Sequence, residues 1–306
     1  AIGNDALLNH KRTGSTYNTA VGASALEQDS SGFQNTAVGV SSFRSNKQSA
    51  YNSGLGINSG YFQKGSDNTF IGAYAGYGER INIANVGLDV GIKNTGLGAG
   101  ALYRLANGNY NVALGQDALL YDSSGSYNVA VGHNSLPALT SGNYNVGIGY
   151  NVNVNSGTLT NTTTIGANAY ATQSNSLILG SINGVNGATA NTSVGIGTSA
   201  PTARLDVDAN FKLGPNGSIL NDIIKSTETY DIPSLAPGAV DIQTFAVPNV
   251  NLGSAVSFSP LFALPDGITI SYARVSAAGV VEVKVVNAGN ATQNPASMSF
   301  ILVAIR

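Results

Sequence analysis

The chain has two imidazoles, His10 and His133, and no cysteine. Imidazole is the side chain that moves protons near neutral pH, so these are the first places to look for acid–base chemistry or metal ligation. They fall at different phases of the surrounding sequence, and neither has a partner by spacing. Both read as surface or turn residues. Eight carboxylates come next: Asp5, Glu27, Asp29, Asp67, Glu79, Asp89, Asp117 and Asp122. Glycoside hydrolysis needs two carboxyls roughly 5 to 9.5 Å apart. Asp29 and Asp122 share a phase, eleven positions after a recurrent Asn (Asn18 and Asn111). Several repeats lie between them, and at about 4.8 Å per stacked unit that is over 20 Å. A dyad shared between neighbouring chains is left open beside the plainer reading, solvated turn charges.

Other chemical signatures fail at named residues. Asp206-Val207-Asp208-Ala209-Asn210 opens like a calcium loop. Phe211 stands where the turn Gly is needed, and Gly217 where a bidentate Glu is needed. Gly96-Leu97-Gly98-Ala99-Gly100-Ala101 has the spacing of a dinucleotide fingerprint but opens no predicted helix. A serine-nucleophile motif and a phosphate loop are both missing. The expectation is no catalytic residue, no metal site and no cofactor.

What must be positioned is therefore a repeat. The Asn that opens each block recurs at Asn18, Asn35, Asn52, Asn68, Asn85, Asn94, Asn111, Asn128, Asn145 and Asn161, at steps of 17, 17, 16, 17, 9, 17, 17, 17 and 16. Each block reads Asn, then Thr, Val or Ser, then Ala, Gly or Phe, then an aliphatic, then Gly, as in Asn111-Val112-Ala113-Leu114-Gly115. That is strand-like and too short for a helix. A second apolar pair follows, such as Ala25-Leu26 or Ala118-Leu119, predicting a second short strand, and then turn residues such as Asp122-Ser123-Ser124-Gly125. Units of this length holding short strands stack as a parallel β-solenoid. The recurrent Gly (Gly22, Gly39, Gly56, Gly72, Gly98, Gly115, Gly132, Gly149) suits a close backbone approach. The Asn suits a hydrogen-bonded ladder. Tyr17, Tyr51, Tyr110, Tyr127 and Tyr144 each precede that Asn and would stack along one edge. About eleven coils would give a shaft of roughly 50 Å. Each coil offers roughly two inward aliphatics, too few to seal both faces, so a lone chain would show an apolar seam that self-association covers.

Charged residues make up 10% of the 306 and the formal net charge is -2. Without a basic excess, nucleic acid is not an expected partner. No apolar run reaches the roughly 20 residues of a membrane helix. The chain opens mid-repeat, since Ala1-Ile2-Gly3 matches Ala20-Val21-Gly22, and residues are expected to precede Ala1. Pro201 breaks the rhythm, and a connector is expected over 198–229. From Tyr230 the text alternates, notably at Val281, Val283 and Val285, and predicts a small antiparallel β-sandwich over 230–306.

The Asn-Thr-Ala-Val-Gly-x-x-Ala-Leu coils resemble the left-handed β-roll heads of trimeric autotransporter adhesins, and the 17-residue version resembles repeats of bacteriophage tail-fibre proteins. The segment Val194-Gly195-Ile196-Gly197-Thr198-Ser199-Ala200-Pro201 is similar to a neck that precedes tail-fibre tips. The resemblance implies an all-β chain: a homotrimeric β-solenoid (1–197), a connector and a C-terminal sandwich tip. It also implies an extracellular appendage of a virion or injection particle. The partners implied are two further copies of the chain, a particle-docking protein reached through a preceding N-terminus, and a cell-surface glycan or envelope protein. A bacterial surface adhesin is the alternative, and a polysaccharide-degrading solenoid enzyme a more distant one. Tip loops carrying Leu264, Pro265, Asp266, Asn287, Asn290 and Asn294 are the receptor-contact candidates, because loops carry recognition.

Overall fold

Ten strands of three or four residues lie side by side in one parallel sheet: Thr19–Val21, Thr36–Val38, Ser53–Leu55, Thr69–Ile71, Thr95–Leu97, Val112–Leu114, Val129–Val131, Val146–Ile148, Thr162–Ile165 and Ser176–Leu179. The structure is a computed structural model that describes residues 1–11, 16–78, 91–208, 211–212, 219–220 and 223–305. All regular structure among these is β. The chain divides into two units, residues 1–194 with 202–204, and residues 195–201 with 205–306.

The first unit is the expected β-solenoid, with one strand of this sheet per coil and a second short parallel pair, Asn153–Val154 with Tyr170–Ala171, in two of the last coils. Its register is held by the asparagines. The Asn35 N–H donates to the Asn18 amide oxygen (2.9 Å), Asn52 to Asn35 (3.0 Å), Asn68 to Asn52 (3.0 Å), and so on through Asn145 to Asn128 (2.9 Å). Each Asn also donates its Nδ2 to a carbonyl late in its own coil, Asn18 to Gly32 and Asn111 to Gly125. Every such amide closes one coil and seats the next. The ladder departs from the sequence expectation in two places. Asn68 passes directly to Asn94, 26 residues on, so the short step is an insertion within one coil; Asn85 lies outside the described residues. At the far end the Thr162 N–H and hydroxyl take the place of an Asn on Asn145, and Asn161 sits one position earlier than expected.

The recurrent Gly column follows from coil spacing. Gly115 has φ +137, and a Cβ there would lie 2.4 Å from the Gly132 carbonyl oxygen. Backbones at that separation admit no side chain. Among the described residues the expected second strand forms only at Asn153–Val154 and Tyr170–Ala171; in the other coils the second apolar pair lies in a turn. Leu26, Leu102, Leu119 and Leu136 sit in tight turns with φ between 50 and 54. A left-handed Leu costs about 1–2 kcal/mol. Full burial of the side chain stabilises by a comparable or larger amount, about 1.5–3 kcal/mol, and all four are buried. Where Phe43 replaces Leu, Gly54 and Gly60 make room, each bare of a Cβ that would meet its ring below 3 Å.

Within each strand the middle residue points inward (Ala20, Ala37, Phe70, Ala113, Ala130) and the aliphatic after it points out. Paired register makes these outward aliphatics one column, through Val38, Leu55, Ile71, Leu97, Leu114, Val131, Ile148 and Ile165 to Leu179. Leu55 is 51% exposed and Leu97 47%. The apolar seam is thus present, and the aliphatics that form it are the ones sequence patterning would place inside.

In the second unit two three-stranded antiparallel sheets pack face to face. One has Met298–Ile305 between Ile223–Tyr230 and Ala255–Pro260; the other has Val280–Asn287 between Val240–Ala246 and Ile268–Ala277. Val281, Val283 and Val285 are fully buried and face a core containing Phe245, Phe258 and Phe300. The hairpin turn is Ala278-Gly279, shorter than the expected Ser276 to Gly279, because Ser276 and Ala277 continue the strand.

Asn111→Ala should leave the Asn128 N–H and the Gly125 carbonyl unpaired and buried, at about 1–3 kcal/mol each. We expect chemical denaturation to show a loss of about 2–5 kcal/mol. The exposed Asn155→Ala should change stability by less than about 0.5 kcal/mol. Equal effects for the two variants would refute the ladder's role.

Candidate functional site

The solenoid carries its surface chemistry in columns, because residues at one phase of the coil stack at the interstrand spacing. The residue before each ladder Asn is left-handed (φ 58 to 60 at Tyr110, Tyr127 and Tyr144). Its ring stands on the surface, with Tyr110–Tyr127 centroids 4.9 Å apart, Tyr127–Tyr144 5.0 Å, and planes within 6°. Three of the five tyrosines expected in the aromatic column thus stack, topped by the Lys93 ammonium 5.1 Å from the Tyr110 centroid; Gln34 stands between Tyr17 and Tyr51 at this phase, and Tyr51 meets Phe33 edge-on at 5.3 Å. A second column, five residues after the stacking Gly, runs Tyr61, Tyr77, Tyr103 and then Leu120. Tyr77 and Tyr103 are parallel at 5.1 Å.

Beside this second column lies a pocket of about 350 Å³. Ala73, Ala99 and Gly100 line it together with Tyr74 and Tyr103 from two coils, and with Asp117, Leu120 and Tyr121 from the next. One column position beside it lacks a side chain. The position two residues after each stacking Gly is filled by Tyr74, Asp117, Asn134 and Asn151, but it is Gly100 in the coil between Tyr74 and Asp117. The Asp117 carboxylate hangs over this gap: a Cβ on Gly100 would lie 2.4 Å from Asp117 Oδ1. Gln116 Nε2 donates to Asp117 Oδ2 at 3.2 Å. The Arg104 guanidinium lies 5.9 Å from the Tyr121 ring centroid. Sequence reading passed over this pocket because Gly100 was absorbed into a fingerprint-like run; the available signal was a Gly on a column otherwise occupied by larger residues.

The residues singled out for chemistry are placed differently. His10 does have a partner: its Nδ1 is 3.5 Å from Asp29 Oδ2. His133 stacks on Tyr150 at 5.6 Å. Asp29 and Asp122 are fully buried, which corrects their reading as solvated turn charges. Each caps its turn, accepting from the Gly32 N–H (2.7 Å) or the Gly125 N–H (2.8 Å), and each accepts a second bond from the ladder amide of Asn18 or Asn128. Burial pushes the Asp29 carboxyl up, while the Gly32 N–H and His10 act against it. Burial pushes Asp122 up to about 6. Glu27 is held low by Arg44, whose Nε donates to it at 2.6 Å. Glu79 and Asp89 lie outside the described residues, as do Ala209 and Asn210 of the calcium-like run. Among the described residues no group of three His, Cys, Asp or Glu could hold a metal ion, and no helix is long and apolar enough to cross a membrane.

In the second unit, the two loops named from sequence meet. The Ala288 N–H donates to the Gly267 carbonyl at 2.7 Å. Asn287 is buried and uses its amide internally, donating to the Leu235 and Ala291 carbonyls (both 2.8 Å) and accepting from the Gly289 N–H. It shapes the loop. Asp266, Asn290 and Asn294 are exposed, and Leu264 and Pro265 are half-buried.

The raised Asp122 pKa has a definite sign. The folded carboxyl holds its proton up to about pH 6, against 3.8 ordinarily. Its stabilising contribution is therefore complete below about pH 4 and disappears as pH rises through 6. Asn46 stands at the same phase and accepts from the Ser49 N–H (3.1 Å), so an amide fits there. Asp122→Asn, which keeps the acceptor for the Gly125 N–H and gives up the bond from Asn128, should remove this part of the pH dependence. Denaturation midpoints of both proteins between pH 4 and 8 test this, and parallel curves would refute it. Comparison of the chain with protein-family models, curated proteins and solved structures gives no match.

Proposed function

We propose that this chain is the distal part of a homotrimeric fibre of a phage or phage-like injection particle. Its solenoid acts as a rigid spacer, and its C-terminal sandwich presents the surface that attaches to a cell-surface receptor, a glycan by preference. The observation that carries this reading is the unbroken column of outward aliphatics along all ten strands. Soluble proteins rarely leave so long an apolar strip in water. Identical chains bring identical coil spacing, so copies side by side keep their columns in register over the whole length. A closed ring of copies covers every strip equally. Three tips held together turn a weak sugar contact into firm attachment through effective concentration.

Light scattering of the chain should give three times its 31.1 kDa. Leu97→Glu with Ile148→Glu, placing charges on the strip, should release monomer with an unchanged far-ultraviolet spectrum. A monomer from the unaltered chain would overturn the trimer. Gold-labelled antibody against residues 230–306 should decorate fibre ends on particles; label confined to the cell envelope would instead identify an adhesin.

A further inference from the structure

We infer that the pocket over Gly100 is a binding site for one pyranose ring of a surface glycan, so that the shaft itself contacts the receptor. The inference rests on the reading of the chain as a receptor-binding fibre, and it places a second sugar contact away from the tip.

Gly100 is not dictated by backbone geometry. Gly100 has φ +68, while Tyr74, Asp117, Asn134 and Asn151 carry side chains at φ 51 to 59 on the same column. A side chain is therefore compatible with this backbone conformation, and its absence at Gly100 lets the Asp117 carboxylate lie against the backbone beside the pocket. At about 350 Å³ the pocket is within the range of small-molecule sites, which are mostly apolar with a few placed polar groups. Tyr103 has one face covered by Tyr77 at 5.1 Å. Its other face is turned toward the coil that supplies Leu120 and Asp117. An aromatic face is electron-rich and receives the polarised C–H bonds on the apolar side of a pyranose. The Asp117 carboxylate accepts hydrogen bonds from two neighbouring hydroxyls. Ala73 and Ala99 add a smooth apolar lining.

Charge decides between this ligand and an ammonium ion, which tyrosines and a carboxylate also attract. Arg104 already lies against Tyr121, 5.9 Å from its centroid. Its positive charge beside Tyr121, which lines the pocket, disfavours a second cation, while Asp117 repels phosphate. A neutral ligand with one apolar and one hydroxylated face fits both.

The test is saturation-transfer NMR on the full chain with the methyl glycosides of glucose, galactose, mannose, rhamnose and N-acetylglucosamine. The affinity expected for so small a ligand is about millimolar. At least one glycoside should receive saturation, strongest at its ring C–H protons. The signal should fall more than tenfold in Gly100→Asn, a residue the column already holds at Asn134, and at least fivefold in Asp117→Asn and in Tyr103→Leu, which copies Leu120. It should persist when Asp266, Asn290 and Asn294 of the tip are all changed to Ala. Unaltered melting temperature would show that the slot variants fold. The inference is overturned by equal signal in Gly100→Asn, by loss in the tip variant alone, by no signal from any glycoside, or by Gly100-dependent binding of tetramethylammonium in place of sugar. None of these results alters the light-scattering mass, so failure of this site is distinguishable from failure of the fibre reading.

Discussion

The solenoid depends on one amide used twice. A coil of this kind has no helix to order it, and its strands are only three or four residues long. Isolated pairing over so few residues is marginal. The ladder Asn supplies what the strand lacks. Its Nδ2 ties the coil's beginning to a carbonyl near its end, 14 residues on in most coils, and its oxygen receives the N–H of the next coil's ladder residue. The same device accommodates irregularity. In the long coil Asn68 reaches Gly91, 23 residues on, and the step to Asn94 is 26. Both exceed the regular 14 and 17 by nine, so closure and stacking are kept while the extra residues are excluded from the ladder.

Stacking at the strand spacing then dictates the rest of the composition. Backbone approaches of this kind explain the Gly column, and the turns that return the chain require left-handed residues. Many of these are not Gly: Leu, Tyr, Asn and Asp hold positive φ throughout the first unit. Each is strained by about 1–3 kcal/mol, and each is offset differently. The leucines are buried, three of the tyrosines stack with the neighbouring coil, and the asparagines at 134, 151 and 168 bond to one another. Strain that recurs once per coil has to be balanced once per coil, and for this reason the side chains stand in columns.

Periodicity made the fold legible. The Asn, Gly and Tyr positions stand out in sequence because each meets the same constraint in every coil, and the alternation at Val281 to Val285 marks a half-buried hairpin for the same reason. The errors came where identity and position separate. Asn161 looks like a ladder residue, but Thr162 occupies that place, since a hydroxyl and a backbone N–H satisfy Asn145 equally well. The strand aliphatics looked like core, yet in a three-residue strand only the middle side chain faces inward, and that position is Ala or Gly in every three-residue strand of the sheet except the one holding Phe70. The pocket left almost no trace in sequence, since the position beside it, Gly100, is marked only by the absence of a side chain, and absences are visible only once the column is known. Asp29 and Asp122 were visible as a pair in phase, but polarity alone gives no sign that a turn carboxylate is buried.

Seen along its columns, the first unit has distinct outer faces. One is the aliphatic column, which no charged residue interrupts from Val21 to Leu179. Another carries the pocket with Tyr74, Tyr103 and Tyr121. A repeat that served only as a spacer would have no reason to vary within a column, and the aliphatic column does not vary in character. The column through Tyr74, Gly100 and Asp117 changes from aromatic to nothing to carboxylate over three successive coils. Backbone conformation there is constant, so stacking does not demand the change. Uniformity on one face matches a surface that meets copies of itself, whereas local variation at constant backbone geometry matches a surface that meets something else.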